Sequence, residues 1–252
     1  MPRSLHGGRH ELGQNFLTHT PSIDLILALV DATGGPILEL GAGDGALTRP
    51  LATRRRPLTA IDIDEHRVRR LRRALPRADV LQADALHHPL RAPTVVGNIP
   101  FHLTTPILRR LLAEPGWERA ILLTQWEVAR KRAGVGGGTM MTAQHAPWFE
   151  FALHGRVPRW GFSPAPGVDG GILSITRREH PLLQGAERRA YEGFVRAVFS
   201  GRGATLERIV AGAAKAPPSV ARDAVARAGA RGALPRDLEA EQWAALWRAL
   251  RA

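Results

Sequence analysis

A regular alternation of short apolar runs and helical patterns between residues 37 and 132 constrains the fold of this chain more than any other feature. Each apolar run is bounded by turn residues and followed by a segment with apolar residues at helical spacing. The alternation predicts an α/β fold with a mainly parallel, doubly wound sheet. The predicted strands are Ile37–Leu40, Leu58–Ile61, Asp79–Gln82, Thr94–Gly97 and Ala120–Thr124.

The segments on either side of this alternation extend the prediction. Pro21 and Ser22 start a predicted helix, and Gly34–Pro36 ends it. After a flexible break at Gly134–Gly138, Phe149–Val157 and Val168–Thr176 are predicted as a final antiparallel pair. The loop between them, Pro158–Gly167, is long for a hairpin and rich in proline and aromatic residues, which indicates a functional loop.

Beyond residue 180 only helical patterns occur. We therefore predict a first domain over residues 1–180, which binds the cofactor and carries catalysis, and a helical domain over residues 181–252. The helical stripes are Tyr191–Phe199, Leu206–Ala214, Val220–Ala228 and Glu239–Leu250.

Charge and composition exclude several classes of protein. The chain has no cysteine, so it has no disulfide framework, and its histidines lack ligand spacing, so no metal site is expected. No apolar run reaches the roughly 20 residues of a membrane span, and the N-terminus lacks a signal-peptide core, so we expect a cytoplasmic protein without a membrane partner. The net charge of +12, almost entirely from arginine, favours nucleic acid as a partner, although a GC-rich genome also enriches arginine.

A glycine turn follows the first predicted strand. Gly41, Gly43 and Ala46 satisfy the dinucleotide pattern G-x-G-x-x-A, which leaves NAD open as a cofactor. However, the carboxylates of Glu39 and Asp44 would repel a pyrophosphate. They suit S-adenosylmethionine, which carries a sulfonium and an ammonium group, and Gly41 and Gly43 would let the backbone approach it closely.

Acidic residues also end the next two strands. Asp62 is placed to accept hydrogen bonds from ribose hydroxyls, and Ile63 beside it could lie on an adenine ring. Asp84 could accept from the adenine amino group, with a backbone N–H from Ala85. The alternative is that these acids only cap helices.

The stretch from Asn98 to Phe101 has the composition of an adenine amine site. The side-chain oxygen of Asn98 and the carbonyl of Ile99 can each accept one N–H, while Pro100 fixes the turn. Phe101 offers a stacking surface for an extruded base. Phe162, in the long loop, either closes this pocket or belongs to the core. Positioning and preorganised acceptors would then supply catalysis without a general base.

These motifs resemble those of the rRNA adenine N6-methyltransferases, in particular the erythromycin-resistance (Erm) branch. The resemblance covers essentially the whole chain, through Arg9–Leu17, Glu39–Gly45, Asn98–Phe101 and a late motif over residues 157–169. It implies a Rossmann-like S-adenosylmethionine-dependent sheet. It also implies methylation of N6 of one adenine in 23S rRNA, which blocks macrolide, lincosamide and streptogramin B antibiotics.

The resemblance also implies roles for individual residues. Those contacting the donor would be Gln14, Asn15, Leu17, Gly41, Asp62, Asp84 and Asn98. Two positions differ from the usual family residues: Asp62 stands in place of the longer Glu, and Phe101 in place of the more frequent Tyr.

Arginines near the catalytic edge are the candidates for contacting RNA, whereas those between Arg67 and Arg73 are interpreted as a solvated helix face. The RNA candidates are Arg3, Arg9, Arg109, Arg110, Arg130, Lys131, Arg132 and Arg159.

Three other functions stay open at this stage. A 16S rRNA dimethyladenosine transferase would share the chemistry, a silent RNA-binding relative would need no donor site, and DNA adenine methyltransferases more often carry a Pro-Pro-Tyr or Pro-Pro-Phe motif. We expect a monomer acting on naked 23S rRNA or a ribosomal precursor.

Overall fold

The computed structural model of the chain describes residues 15–251. Its strands, numbered in chain order, are β1 (Phe16–Leu17), β2 (Ile37–Leu40), β3 (Leu58–Asp62), β4 (Asp79–Gln82), β5 (Thr94–Asn98), β6 (Arg119–Gln125), β7 (Phe149–Val157), β8 (Phe162–Ser163) and β9 (Gly170–Arg177). Its α-helices are α1 (Thr20–Asp31), α2 (Thr48–Ala52), α3 (Glu65–Ala74), α4 (Thr104–Ala113), α5 (Trp126–Arg132), α6 (Met140–His145), α7 (Arg188–Ser200), α8 (Leu206–Ala214), α9 (Pro218–Arg227) and α10 (Ala240–Ala249).

A seven-stranded sheet in the order β4-β3-β2-β5-β6-β9-β7 forms the centre of the fold. The pairs β2–β3, β3–β4, β2–β5 and β5–β6 are parallel, which confirms the predicted doubly wound sheet. The chain moves to one side of β2 to form β3 and to the other side to form β5. This reversal creates a switch point at the carboxyl ends of β2 and β5, where ligands bind in open α/β sheets.

The central strands are buried because helices cover both faces of a parallel sheet. All four residues of β2 are buried, including the acidic Glu39. Apolar side chains of α1 such as Ile26 and Val30 pack in the same core cluster as Val96 and Ile121 of the sheet. A carboxyl group in such a strand is therefore an exception that needs a chemical reason.

A short antiparallel ribbon of β1 and β8 lies apart from the large sheet. Leu17 is the partner of Phe162, and the carbonyl oxygen of Gly161 accepts hydrogen bonds from the N–H groups of Thr18 and His19, at 2.8 and 3.2 Å. The segment near residue 17 is thereby fixed to the loop between β7 and β9. Part of that loop is thus ordered by the ribbon and by a turn of 3-10 helix at Arg159–Gly161.

By contacts, the chain divides into two compact units: Met1–Ala129 with Leu153–Ile175, and Arg130–Ala152 with Thr176–Ala252. The predicted division at residue 180 differs from this one, because residues 130–152 are grouped with the C-terminal helices. The helix α6, which sequence patterns did not predict, explains part of this difference. The hydroxyl of Tyr191 in α7 donates to the carbonyl of Ala143 in α6 at 2.8 Å.

The second unit has an aromatic core. Tyr191 packs edge-on against Trp148 and Trp247, with ring centroids 5.6 and 5.7 Å apart, and Phe194 packs against Trp243 at 6.3 Å. Helices α7 to α10 confirm the helical pattern predicted for the C-terminal part. Within residues 15–251, none of the helices is long and apolar enough to span a membrane.

Candidate active site

Two neighbouring cavities lie at the switch point of the sheet. The space in the first is about 570 Å³ and in the second about 440 Å³, and part of it is open to solvent. They share Gly41, Asp62, Ile99 and Pro100 as lining residues. A ligand longer than either cavity can therefore extend along the ends of β2, β3 and β5.

The glycine turn after β2 forms one wall of the first cavity. Gly41 and Gly43 have φ angles of +75° and +53°, which L side chains rarely adopt. A Cβ atom at Gly43 would come within 3.2 Å of the Phe16 ring, so glycine is also needed to let the turn approach the N-terminal segment. The predicted close approach of this turn to a ligand is consistent with both observations.

Glu39 supplies a buried carboxyl group to the first cavity. Its exposed fraction is 1%, and its Oε2 atom has no hydrogen-bond partner among the described residues. Burial raises the pKa of Glu39 to about 8, and the nearby Asp62 carboxylate adds to this rise while Thr48 acts against it. A cationic ligand group would give this buried oxygen the partner that it lacks.

Asp62 joins the end of β3 to the glycine turn. Its Oδ2 accepts a hydrogen bond from the N–H of Gly43 at 2.7 Å, and its Oδ1 accepts from the N–H of Asp64 at 2.9 Å. Burial raises its pKa, although these backbone donors oppose the rise. Asp62 therefore fixes the shape of the cavity, whereas its role as a ribose acceptor stays a prediction. The residue that caps α3 is Asp64 and not Asp62, because the Asp64 side chain accepts from the N–H groups of His66 and Arg67.

The second cavity contains the residues predicted to bind adenine. Ile63, with 43% of its surface exposed, lines it together with Asp84 and Ala85. The Asp84 carboxylate accepts from the N–H of Leu86 at 2.8 Å and lies 2.8 Å from Nδ1 of His87. These contacts, led by the Leu86 N–H, hold its pKa below the usual value.

The predicted acceptor motif lies between these cavities and the N-terminal segment. The side-chain nitrogen of Asn98 donates to the carbonyl oxygen of Asn15 at 2.8 Å, which leaves the side-chain oxygen of Asn98 as an acceptor. The N–H of Ile99 donates to the carbonyl of Leu123 at 2.9 Å and fixes the motif to β6. Pro100 and Phe101 line the first cavity beside Asn98.

Phe162 is brought next to Phe101 but is not itself a cavity wall. Their ring centroids are 6.4 Å apart with an interplanar angle of 77°. Phe162 is 4% exposed, belongs to the core cluster, and leaves no room for a Cβ at Gly170. Its position favours the core alternative, with Phe162 in edge-to-face contact with the Phe101 ring.

The N-terminal candidates are only partly described. Asn15 and Leu17 line the first cavity, as expected. Arg3, Arg9 and Gln14 lie outside the described residues.

Sequence analysis missed the role of Arg67 in this site. Its guanidinium lies over the Phe16 ring, 4.3 Å from the centroid, and pairs with Asp64 at 3.1 Å and with Asp44. The interpretation of Arg67 as part of a solvated face is therefore wrong, although Arg69, Arg70, Arg72 and Arg73 are exposed. The signal available in the sequence was its position three residues after Asp64, at the start of the helix.

The predicted RNA contacts have different surroundings. Arg109 and Arg159 are exposed. Arg110 is a correction, because its guanidinium donates to the carbonyls of Ala85 (2.6 Å) and His88 (3.0 Å) and pairs with Glu114 (2.7 Å). These contacts use Arg110 to brace the loop of the second cavity, which leaves it little capacity to bind a phosphate.

The remaining basic candidates follow one another at the end of α5 and belong to the second unit. Lys131 is exposed, whereas Arg130 and Arg132 are half-buried. Arg132 donates to the hydroxyl of Thr139 at 2.9 Å.

A family model described as ribosomal RNA adenine dimethylase matches residues 5–219 of this chain. The chain belongs to the ribosomal RNA adenine dimethylase family. Its methyl donor is therefore S-adenosylmethionine, its substrate is ribosomal RNA, and the NAD alternative is excluded.

Individual members of the family agree with this assignment. The chain is 47% identical to a mycinamicin-resistance protein of Micromonospora griseorubida, over 97% of this chain and 80% of that protein. It is 35% identical to ribosomal RNA small subunit methyltransferase A of Acidobacterium capsulatum, over 96% of this chain and 92% of that protein. The crystal structure of the 23S rRNA methyltransferase ErmE superposes with a TM-score of 0.85 at 35% identity, covering 94% of this chain and 100% of that one.

Proposed function

We propose that this chain transfers a methyl group to N6 of a specific adenine in 23S rRNA, and thereby gives resistance to macrolide, lincosamide and streptogramin B antibiotics. The observation that carries the proposal is the likeness to ErmE over nearly the whole of both chains. The higher identity to a mycinamicin-resistance protein than to a small-subunit methyltransferase supports the choice of 23S over 16S rRNA.

The residues of the two cavities fit S-adenosylmethionine, which supplies an electrophilic methyl group on a sulfonium. In the first cavity, the buried carboxyl of Glu39 with its unpartnered oxygen would pair with the ammonium group, beside Asn15, Leu17 and Gly41. Asp62, shared by both cavities, would accept from the ribose. The second cavity would take adenine between Ile63 and the Asp84–Ala85 turn.

The motif at the end of β5 would hold the target amine. The free side-chain oxygen of Asn98 and the carbonyl of Ile99 would each accept one N–H, which directs the nitrogen lone pair at the methyl carbon. When bound, the donor would supply the methyl group to this nitrogen, and the methylated amine would then release one proton to water. Phe101, supported by Phe162, would stack on the extruded base.

The direct test is methylation of 23S and 16S rRNA transcripts, followed by mass mapping of the modified base. We expect label in one 23S adenine and none in 16S rRNA. Label confined to 16S rRNA would identify a dimethyladenosine transferase instead, and donor binding without label in either RNA would identify a silent relative. Comparing naked RNA with precursor particles in the same assay decides between these two substrates.

The catalytic assignment is tested by Asn98→Ala. This variant should lose turnover by at least about a hundredfold, the scale for one preorganised hydrogen-bonding group, while still binding the donor. Phe101→Ala should be less active than Phe101→Tyr, which keeps the stacking face. Equal activity of these two variants would contradict the stacking role.

We further propose that the enzyme is a monomer and acts in the cytoplasm, where its substrate RNA is made. Sedimentation of the purified chain, with and without RNA, measures its oligomeric state.

A further inference from the structure

Trp160 is the most exposed of the large apolar side chains in the described part of the chain, with 69% of its surface accessible. It lies in the turn between β7 and β8. Single exposed apolar residues are ordinary in proteins, so exposure alone assigns no function. What distinguishes Trp160 is the rigidity of its surroundings, its distance from the acceptor motif and the charge beside it.

The Trp160 ring is held by a chain of contacts that ends in the core. The ring of His19 meets it edge-to-face, with centroids 4.9 Å apart and an interplanar angle of 84°. Nδ1 of His19 in turn lies 2.7 Å from the hydroxyl of Ser22, which is 4% exposed. An edge-to-face contact covers at most one face of the indole, so a second face is open to a ligand.

The backbone on both sides of Trp160 is fixed as well. The carbonyl of Gly161 accepts the two hydrogen bonds from Thr18 and His19 described above, and the N–H of Arg159 donates to Asp169 at 2.7 Å. A Cβ on Gly161 would come within 2.7 Å of the His19 Cβ, so the turn is closely packed. An exposed aromatic ring that is already ordered loses little entropy on binding.

Trp160 also lies close to the acceptor motif. It precedes Phe162 by two residues, so their Cα atoms are at most about 7.6 Å apart. Phe162 contacts Phe101, on which the target base is proposed to stack. Trp160 is therefore connected to the acceptor motif along the chain, through the buried Phe162 that contacts Phe101.

The charge beside Trp160 favours a polyanion. Arg159 is exposed, and its guanidinium forms no ion pair within 4 Å among residues 15–251, although it interacts electrostatically with the Asp169 carboxylate. Arg156, three residues before Arg159 and in β7, pairs with Asp169 at 2.6 Å and lies 5.4 Å from the Trp126 ring centroid. An arginine next to an open aromatic face is the combination that binds single-stranded nucleic acid.

We propose that Trp160 is a stacking platform for an unpaired base that flanks the target adenine, and that Arg159 contacts the adjoining phosphate. This inference rests on the proposed function. Extruding an adenine leaves its neighbours without a stacking partner, and RNA-binding proteins stack such splayed bases on aromatic side chains. Trp160 is therefore a positioning residue for the RNA, separate from the groups that touch the amine.

The experiment compares Trp160→Ala, Trp160→Phe and the wild-type chain on a 23S rRNA fragment that the wild type methylates. Trp160→Ala should bind this RNA about 5- to 150-fold more weakly, the effect of losing one base–aromatic stack. The KM for RNA should rise while kcat and donor affinity stay within about twofold, because no group at the amine is changed. Trp160→Phe, which keeps an aromatic face, should recover most of the affinity.

Fragments with an abasic site on one or the other side of the target separate stacking from a structural effect. With the correct flanking base removed, wild type and Trp160→Ala should bind equally well. A loss in Trp160→Ala that is the same for intact and abasic RNA would overturn the platform, as would unchanged affinity for the intact fragment. If the wild type methylates no 23S fragment, the proposed function fails; if it does and Trp160→Ala binds normally, only the platform fails.

Two matched variants control for general surface effects. Val220→Ala removes another exposed apolar side chain, on α9, and should leave RNA affinity unchanged. Arg159→Ala should reduce the slope of log RNA affinity against log salt concentration by about one, the amount expected for one lost phosphate contact. Arg73→Ala, at an exposed site on α3, should leave this slope unchanged. Equal salt slopes for Arg159→Ala and the wild type would overturn the phosphate contact.

Discussion

The two cavities at the switch point each contain an acidic residue from the carboxyl end of a strand, yet the two acids have opposite environments. Glu39 in the first cavity is 1% exposed, has an oxygen without a partner, and has its pKa raised to about 8. The Asp84 side chain in the second cavity is 38% exposed, accepts two local contacts, and has its pKa lowered.

The difference shows that position at a strand end does not determine what a carboxylate does. A buried acid with a missing partner is costly to the free protein and is stabilised by a cation. A partly exposed acid whose oxygens already accept backbone and histidine contacts mainly shapes its own loop. The two cavities should therefore respond differently to the loss of charge.

Glu39→Gln should have the largest effect. Because the pKa of folded Glu39, about 8, exceeds its usual 4.5, the folded chain binds an extra proton between these values, and this site makes the free energy of unfolding fall as pH rises. The variant lacks this titrating group. Its free energy of unfolding, relative to that of the wild type, should therefore rise by a few kcal/mol as the pH increases from 4.5 to about 8. Urea unfolding at several pH values measures this change, and donor affinity should fall about tenfold or more by calorimetry.

Asp84→Asn is the matched control for this comparison. The lowered pKa of Asp84 stabilises the folded chain above the pKa of the unfolded state, and this stability is lost as the pH falls through the folded-state pKa. A plot of the free energy of unfolding against pH should therefore run parallel for Asp84→Asn and the wild type above about pH 5. A Glu39→Gln difference that stays constant from pH 5 to 8 would contradict the contrast between the cavities.

Arg110→Ala should weaken the second cavity. It removes the donors to the carbonyls of Ala85 and His88, which should cost about 1–3 kcal/mol in the free energy of unfolding. RNA affinity should stay near wild type. Arg109→Ala, at the neighbouring exposed site, should lower RNA affinity and leave the free energy of unfolding unchanged. If Arg110→Ala instead lost RNA affinity at unchanged stability, Arg110 would be an RNA contact, as the sequence predicted.

Arg67→Ala should have the smallest effect, confined to the first cavity. It removes the contact with the Phe16 ring and the pairs with Asp44 and Asp64, so donor affinity should fall about threefold with kcat at saturation nearly unchanged. Arg73→Ala, on the same helix, provides the control. Equal donor affinities in the two variants would remove Arg67 from the site.

Much of the fold followed from periodicity because parallel strands and amphipathic helices leave strong patterns. The bounds of β2, β4 and β7 agree with the predicted ones. Helix α6 was missed because Met140–His145 is short and follows the glycine-rich segment.

The candidate site was predictable only as far as residue type and strand ends allow. Asn98, Phe101 and Asp62 line the expected cavities. The roles of Arg67 and Arg110 depend on contacts with segments 23 and 25 residues distant, which a pattern of local charges does not reveal. For Phe162 the sequence left the core and pocket alternatives open, and only packing favoured the core.

The side-chain amide of Asn98 is oriented by the main-chain carbonyl of Asn15 and not by the Asn15 side chain. Every amino acid carries that carbonyl, so a substitution at position 15 keeps the hydrogen bond that orients the Asn98 amide. A deletion or insertion that displaces the backbone just before β1 would break this hydrogen bond. The enzyme would then lose activity although every residue of its catalytic motif is unchanged.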